Sequence, residues 1–376
     1  MNARPRRPRL DPVEVAAASL ACLPDMTPAR MRRLCARFSG PVGALSALQR
    51  GLGAAVLCEK VAPEEIPARL DLARAWQRVA VGTTLPDTLA RRGTRVFIAG
   101  REGYPISGDV EGRPHVLLAE GNAPSALEGP RVAVVGTRAA TPHGLADARD
   151  VGRVLGEAGI TVVSGLAIGI DGAAHEGALD GGGAAIGVVA TGLDVVYPRR
   201  HVALFDAVRA AGLIMSELGY GVRPRPGAFP VRNRIIAMLA DVVVVVEATL
   251  RGGARITAER ALEYGRPVLA MPGSRRNPAA EGTNALIADG AHPLLEPSDV
   301  LLALGLTPGS RRAPKPPPPP GSDAARVLGA CGGEPATFDQ LASRTGLLAD
   351  HVAVAVRELE RGGWMERARG LCWPKG

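Results

Sequence analysis

The stretch RVAVVGTRAATPHGLADARDVGRVLGEAGITVVSGLAIGIDGAAH, residues 131–175, decides the fold. A β-branched run from Arg131 to Val135 stops at Gly136. After a polar turn an amphipathic stretch runs from Leu145 to Ala158 and ends at Gly159. A second apolar run, Ile160 to Val163, stops at Ser164-Gly165, and a third segment begins near Ile170. Strand, helix, strand predicts one right-handed βαβ unit with parallel strands. The two strands stop at Gly136-Thr137-Arg138 and Ser164-Gly165-Leu166-Ala167, which share one carboxyl edge in a parallel sheet. Ligands of open α/β sheets bind at that edge, where helix N-termini present unpaired N–H groups. The edge is therefore expected to hold phosphate.

The alternation continues outward. Ala184 to Ala190, Leu213 to Met215, Asp241 to Val246 and Pro267 to Met271 read as strands. His201 to Ala211, Arg232 to Leu239, Ile256 to Tyr264 and Thr283 to Asp289 read as helices. The five consecutive valines of 242–246 predict a strand buried on both faces. Upstream, Arg95 to Ile98 and Val116 to Ala119 read as strands that lead into the sheet. The expected fold class is α/β, a Rossmann-like doubly wound, mostly parallel sheet. It is flanked by a small N-terminal helical domain and a C-terminal winged-helix-like domain.

Four segments are expected. Residues 1–85 form short helices, with breaks at Pro24-Asp25 and Gly40-Pro41. The Leu-Pro-x-x-Thr-Pro pattern there resembles a degenerate helix–hairpin–helix of SAM-like kind, in which Asp25-Met26-Thr27 replaces the glycines that would offer N–H groups to phosphate. Residues 86–307 are the Rossmann-like core. Residues 308–320 (PGSRRAPKPPPPP) are a Pro-rich, semi-rigid linker. Residues 321–376 read as helix, helix, helix, hairpin, a winged-helix-like pattern. In that domain Arg357, Arg361, Arg367 and Arg369 are candidate phosphate contacts, although its basic and acidic residues balance.

Composition narrows the function. The net charge is +8, but the core as a whole is balanced; within it, residues 199–276 hold thirteen Arg against six acids. That local excess suits an anionic ligand. No run of eighteen apolar residues occurs, so no membrane segment is expected. The N-terminus lacks the apolar core of a signal peptide. Five scattered cysteines without a Cys-x-x-Cys pair argue against a disulfide framework or zinc site and for a reducing cytoplasm. The turn Gly136-Thr137-Arg138-Ala139-Ala140 is not G-x-G-x-x-G, and no Walker A string is present, so neither a dinucleotide cofactor nor ATP hydrolysis is expected.

The candidate anion-binding residues are Gly136, Thr137 and Arg138, then Ser164 and Gly165, then Arg232, Asn233 and Arg234. Arg251, Gly252, Gly253 and Arg255 complete the set. Arg138 has two readings, a phosphate contact or a helix cap paired with Asp171. Asp171 and His175 stand at i,i+4, the spacing of a structural hydrogen bond. Glu247 is expected to pair with Arg234 and hold it. Tyr197 and Phe229 could stack bases or anchor loops.

These strings resemble the DprA (Smf) family of DNA-processing proteins. The match rests on VAVVGTR (132–138), VVSGLAIGID (162–171) with Ala174-His175, GLDVVYP (192–198), SELG (216–219) and FPVRNRIIA (229–237). It continues through VVEA (245–248), MPG (271–273) and EGTNALIADGA (281–291), so that it covers about residues 95–305. The resemblance implies a non-enzymatic, homodimeric protein that binds single-stranded DNA. It further implies loading of the RecA recombinase during natural transformation, with no cofactor and no metal. It assigns phosphate contacts to Arg138, to the Ser164-Gly165 loop and to Asn233-Arg234. Where the family often carries Arg or Lys this chain has Ile168; Arg232, Arg251 or Arg255 could substitute. A competing reading is a nucleotide phosphoribohydrolase on the same sheet. That family needs Pro-Gly-Gly-x-Gly-Thr, and the loop Leu250–Arg255 lacks the Gly-Thr.

Overall fold

The computed structural model describes residues 11–81, 85–108, 110–306, 318–319, 321–331, 336–362, 364–368 and 371–374. The chain divides into two compact units, residues 1–310 and 311–376. The basic N-terminal residues 1–10, nearly all of the Pro-rich linker, Arg369 and the side chain of Arg361 lie outside the described residues.

The first unit opens with helices α1 (Pro12–Ala21), α2 (Pro28–Arg37), α3 (Pro41–Gln49), α4 (Ala54–Leu57), α5 (Ile66–Val81) and α6 (Leu85–Arg92). Asp11 and Glu14 close a capping box on α1, and Thr27 caps α2 by accepting the Arg30 N–H. The sheet strands follow as β1 (Arg95–Ile98), β2 (Val116–Glu120), β3 (Arg131–Val135), β4 (Thr161–Ser164) and β5 (Ala185–Val188), then β6 (Leu213–Ser216), β7 (Val242–Val245), β8 (Val268–Ala270) and β9 (His292–Pro293). Between them lie α7 (Pro142–Glu157), α8 (Ile170–Asp180), α9 (Val202–Ala211), α10 (Ala228–Leu239), α11 (Gly253–Glu263) and α12 (Glu281–Ala288), with α13 (Asp299–Ala303) after β9.

Among the described residues nine strands form one sheet in the order β1-β2-β6-β5-β4-β3-β7-β8-β9. The expected βαβ unit is present as β3, α7 and β4, paired in parallel with Val132 opposite Val162. Strands β3 to β9 are parallel; β1 and β2 join antiparallel at one edge. Strand order reverses between β3 and β7. β4 to β6 build to one side of β3 and β7 to β9 to the other, which opens a crevice at the carboxyl ends of β3 and β7.

The valine strand is buried on both faces. Val243 and Val245 pack with Ala133, Val135 and α10; Val242 and Val244 pack with Val132, Val134 and α7. Helices α7 and α8 approach to backbone contact, because a Cβ on Gly152 would lie 2.2 Å from the Ala174 carbonyl oxygen. The N-terminal helices share a core with the sheet: Leu20, Leu34 and Trp76 belong to one buried cluster with Leu118 and Ile214. A second tie is polar. Buried Glu120 accepts from Arg92 Nε and Nη2 at 2.6 and 2.9 Å and from the Tyr220 hydroxyl at 2.6 Å.

Four helices start two to four residues earlier than the sequence reading, α7 at Pro142 and α12 at Glu281 among them, and two of these starts shape the cleft. α10 begins at Ala228 rather than Arg232, because Pro230 falls in the first turn, where its missing N–H costs nothing. α11 begins at Gly253, with Gly252 as N-cap, which puts both glycines at a helix start.

The second unit holds α14 (Asp323–Cys331), β10 (Ala336–Thr337), α15 (Phe338–Thr345), α16 (Ala349–Gly362), β11 (Met365–Ala368) and β12 (Leu371–Pro374). It is a winged helix with a three-stranded sheet, β10-β12-β11, around Val327, Leu341, Val352 and Val356. Strand β10 was not legible, being only two residues long. Thr337 and Gln340 form a capping box on α15, and Gly346 ends it in the left-handed region. Arg357 is exposed, whereas Arg367 pairs with Glu360 at 3.3 Å.

Candidate nucleic-acid interface

A cleft of about 610 Å³ lies at the carboxyl edge, at the point of strand reversal. One wall is Gly136-Thr137-Arg138, after β3. The other is Gly252-Gly253, after β7. The first turns of α10 close it with Phe229, Arg232 and Asn233. Sequence reading and structure thus meet on eight candidates in one cleft, Gly136, Thr137, Arg138, Arg232, Asn233, Gly252, Gly253 and Asp171.

Arg138 is exposed and makes no ion pair among the described residues, Asp171 included. Its guanidinium stands 4.5 Å from the centroid of Phe229, and Phe229 lies 5.6 Å from Tyr197, tilted by 43°. The cation–π contact orients the guanidinium without neutralising its charge. Asn233 donates from Nδ2 to the Gly253 carbonyl at 3.1 Å, so α10 holds the start of α11 in place. A Cβ on Gly253 would meet only Asn233, at 3.6 Å, which leaves its backbone open toward the cleft.

Other candidates have structural duties. Arg232 is 5% exposed. It donates to the carbonyl oxygens of Gly165, at 2.8 Å, and Val188, and from Nε to Asn233 Oδ1 at 3.2 Å. Burial brings its guanidinium down to about 10, against the opposing pull of Asp171. Asp171 accepts the Gly165 N–H at 3.1 Å, and burial holds its carboxyl above the usual range although Arg232 is close. Gly165 is therefore filled by protein: a Cβ there would fall 2.4 Å from Arg232 Nη2 and 2.5 Å from Asp171 Oδ2. Ser164 turns its hydroxyl into the sheet and donates to the Val134 carbonyl at 2.6 Å. The second loop is built by a buried arginine and a buried carboxylate, rather than left vacant for an anion.

Glu247 does not pair with Arg234. It accepts from the Thr141 N–H at 2.9 Å and the Thr141 hydroxyl at 2.6 Å, pinning the start of α7 beneath the Gly136 turn. Gly144 is required beside it, since a Cβ would sit 2.3 Å from its carboxyl carbon. Arg234 instead forms a bidentate pair with Glu217 at 2.8 and 2.7 Å, with each side chain 11% exposed. The helical register of α10 alternates the two arginines: Arg232 turns toward the β4 loop and Arg234 toward the β6 loop. Arg255 lies near Glu259 at 3.8 Å and Asp289 at 3.6 Å, so it too is engaged away from the cleft. Arg251 is exposed and unpaired among the described residues.

The expected Asp171–His175 hydrogen bond is absent. His175 is fully buried, and neither ring nitrogen has a hydrogen-bond partner among the described residues. Burial brings its imidazole down to about 3. A base with a lowered folded value contributes stability above its unfolded value, near 6.5, and loses it as pH falls toward 3. At pH 5 the loss is about 2 kcal/mol, at roughly 1.4 kcal/mol per unit. Melting curves from pH 7.5 to 4.5 should therefore fall more steeply for the native chain than for His175→Leu. Parallel curves would clear His175 of the effect.

Beside Arg138 and Arg251, which the motifs single out, further arginines sit on loops at the same edge, and in the sequence these show only as the excess in residues 199–276. Arg199 and Arg200 follow β5, Arg138 follows β3, Arg251 follows β7, and Arg275 and Arg276 follow β8. All six are exposed and without ion pairs among the described residues. Neighbouring strands are about 4.8 Å apart, so the strands these loops follow, β5 to β8, span roughly 19 Å of the edge. The loop after β4, in the middle, carries half-buried Ile168.

No described helix is long and apolar enough to cross a membrane. No group of three or more His, Cys, Asp or Glu residues able to hold a metal occurs among the described residues. Burial pushes the Cys22 and Cys35 thiols up to about 11.

Comparison with known proteins agrees with this architecture. Residues 95–305 match the family model of DNA recombination-mediator protein A, and residues 311–370 match that of the DprA winged helix domain. The putative DNA processing protein DprA of Mycobacterium tuberculosis is 35% identical over 376 residues, covering 95% of this chain and 93% of that protein. Protein Smf of Escherichia coli is 38% identical over 284 residues, 70% of this chain and 75% of that one. The crystal structure of DNA processing protein A from Streptococcus pneumoniae superposes with a TM-score of 0.59 at 30% identity, covering 78% of this chain and 98% of that chain. DNA processing protein A of Helicobacter pylori, described for its single-stranded DNA binding mode, gives a TM-score of 0.50 at 28% identity over 56% of this chain and 95% of that one. A Rossmann-like core with its cleft at the strand reversal, joined in sequence to a winged helix, places this chain in the DprA/Smf family of DNA recombination-mediator proteins.

Proposed function

We propose that this protein binds single-stranded DNA along the carboxyl edge of its sheet and passes the strand to RecA as a cytoplasmic homodimer. The observation that carries the reading is Arg138, exposed and without an ion pair among the described residues, in the cleft at the strand reversal, with five further exposed arginines on the loops that follow β5, β7 and β8 at the same edge. Exposed arginines on loops that follow strands about 19 Å apart across the sheet suit an extended polyanion better than a single nucleotide. Arg offers a planar fork of donors to phosphate oxygens. Phosphate carries no base identity, so the grip is tolerant of sequence. Asp171, the acid in the cleft, is held by the Gly165 N–H and stands close to Arg232, which shapes a loop. The reading is accordingly a binding protein rather than a phosphoribohydrolase or any other enzyme. In transformable cells the role would be to receive the incoming strand.

Arg138→Ala tests it. Fluorescence anisotropy against oligo-dT and mixed sequence should show similar weakening of both, with the log–log salt slope flatter by about 0.7. Binding equal to wild type at every salt concentration would sink the reading. Ile168, on the loop after β4, gives the opposite test. Ile168→Arg should tighten binding several-fold and steepen the slope by about 0.7. Unchanged affinity in a folded variant would mean that the β4 loop does not face the strand.

A further inference from the structure

A second cavity, of about 1100 Å³, shares Arg225 and Arg232 with the edge cleft. The turn between α1 and α2 and part of α5 form one side of it. The loop after β6 and the start of α10 form the other. Its apolar lining includes Leu23, Leu72, Leu218, Val222 and Ile235. Val79 and Val231 also line it and remain 38% and 45% exposed. A roomy, mostly apolar hollow with a few charged groups at its rim is the usual form of a small-ligand site.

The charges at the rim do not cancel. Asp25 and Glu217 are its carboxylates. Asp25 pairs with Arg225 at 2.7 Å, and Glu217 with Arg234 at 2.7 Å. Arg69 pairs with Glu65 at 2.7 Å, and Arg232 is taken up by carbonyl oxygens. Arg30 and Arg223 remain, and neither has an ion pair among the described residues. Among the described residues the Arg30 guanidinium donates to the Asp25 carbonyl oxygen, at 2.5 Å. Burial, with the like charges of Arg69 and Arg33, brings that guanidinium below the usual range, against the attraction of Asp25. An anion beside them would give Arg30 and Arg223 the ion pair that neither has among the described residues.

We propose that this cavity is a nucleotide site, in which the base lies over Leu218, Val222 and Val231 and the phosphate is held by Arg30 and Arg223. Aromatic heterocycle plus anion is the chemistry that an apolar floor and an uncompensated cationic rim select together. Two sources supply it. One is a further nucleotide of a strand leaving the edge cleft through the shared Arg225–Arg232 wall; this source rests on the function proposed above. The other is a free mononucleotide, which does not.

The test uses the full chain with Arg30→Gln, Arg223→Ser and Val79→Trp, the last to fill the cavity, each checked by thermal melting. Oligo-dT of about 4 and about 20 nucleotides is titrated by anisotropy. dTMP, thymidine and inorganic phosphate are titrated by calorimetry. For the strand source, the long oligonucleotide weakens by about 3- to 10-fold in every variant, roughly 0.7–1.4 kcal/mol, while the short one binds as in wild type. For the free source, dTMP binds wild type more tightly than thymidine or phosphate does, and the variants lose that binding. If the variants bind the long oligonucleotide like wild type and wild type takes up no dTMP, the proposal is overturned. If neither oligonucleotide binds wild type, the sheet-edge reading fails and the dTMP titration alone decides the cavity.

Discussion

Arg232→Met is expected to destabilise the protein by about 3–5 kcal/mol. Its guanidinium is the donor for the Gly165 and Val188 carbonyl oxygens and lies close to the buried carboxylate of Asp171. Methionine fills much of the same space but donates nothing. Two carbonyl oxygens then lose a donor in a water-poor site, and Asp171 is left as a buried charge without its cation. The native chain already holds the Asp171 carboxyl above its usual range through burial. Without Arg232 it rises further, so the variant's deficit should shrink as pH falls and Asp171 takes up its proton. Chemical denaturation at pH 7.5 and pH 5 measures both effects. A variant as stable as wild type at pH 7.5 would show that Arg232 is a surface ligand and not a strut. Arg232→Met combined with Asp171→Asn should recover part of the loss, since the uncompensated charge has gone.

Serine at Arg138, Arg200, Arg251 and Arg275 together should abolish most strand binding and leave the fold intact. All four side chains are exposed and have no ion pairs among the described residues, so their removal strands no buried partner. At about 0.7 kcal/mol per exposed charge pair, four contacts come to about 3 kcal/mol. That is roughly a hundredfold in affinity. The salt slope should fall by about 2.8, at about 0.7 per lost phosphate contact. The melting midpoint should move little, the Arg138–Phe229 contact being worth only about 0.5–1 kcal/mol at an exposed site. Full binding by the quadruple variant would move the strand off this edge. A large fall in melting temperature would mean that the arginines serve the fold.

The contrast between these substitutions turns on burial, which linear sequence does not carry. Arg232 and Arg138 belong to equally strong motifs. Yet one stands beneath a loop and the other above it: α10 turns Arg232 onto the Gly165 and Val188 carbonyl oxygens, while Arg138 leaves the end of β3 into solvent. Glu247 was legible as a positioning carboxylate at the end of the valine strand. Its partner was not: reaching Thr141 depends on β3 and β7 being neighbours, and that adjacency comes from the crossover of α10.

Sequence by itself determined most strands and most helices of the parallel sheet, and the winged helix at the C-terminal end. Those features rest on local pattern: apolar runs stopped by small residues, helical periodicity, and proline or glycine at ends. Tertiary structure alone decided the strand order, and with it the crevice between β3 and β7. It also decided which of the motif residues face solvent. Gly165 and Gly253 look alike in sequence, but one is packed against Arg232 and Asp171 while the other opens on the cleft. The gathering at one edge of the loops that carry Arg138, Arg199, Arg200, Arg251, Arg275 and Arg276 is of the same kind. Residues more than a hundred positions apart, such as Arg138 and Arg251, come to a single edge only once parallel strands bring the loops after them together.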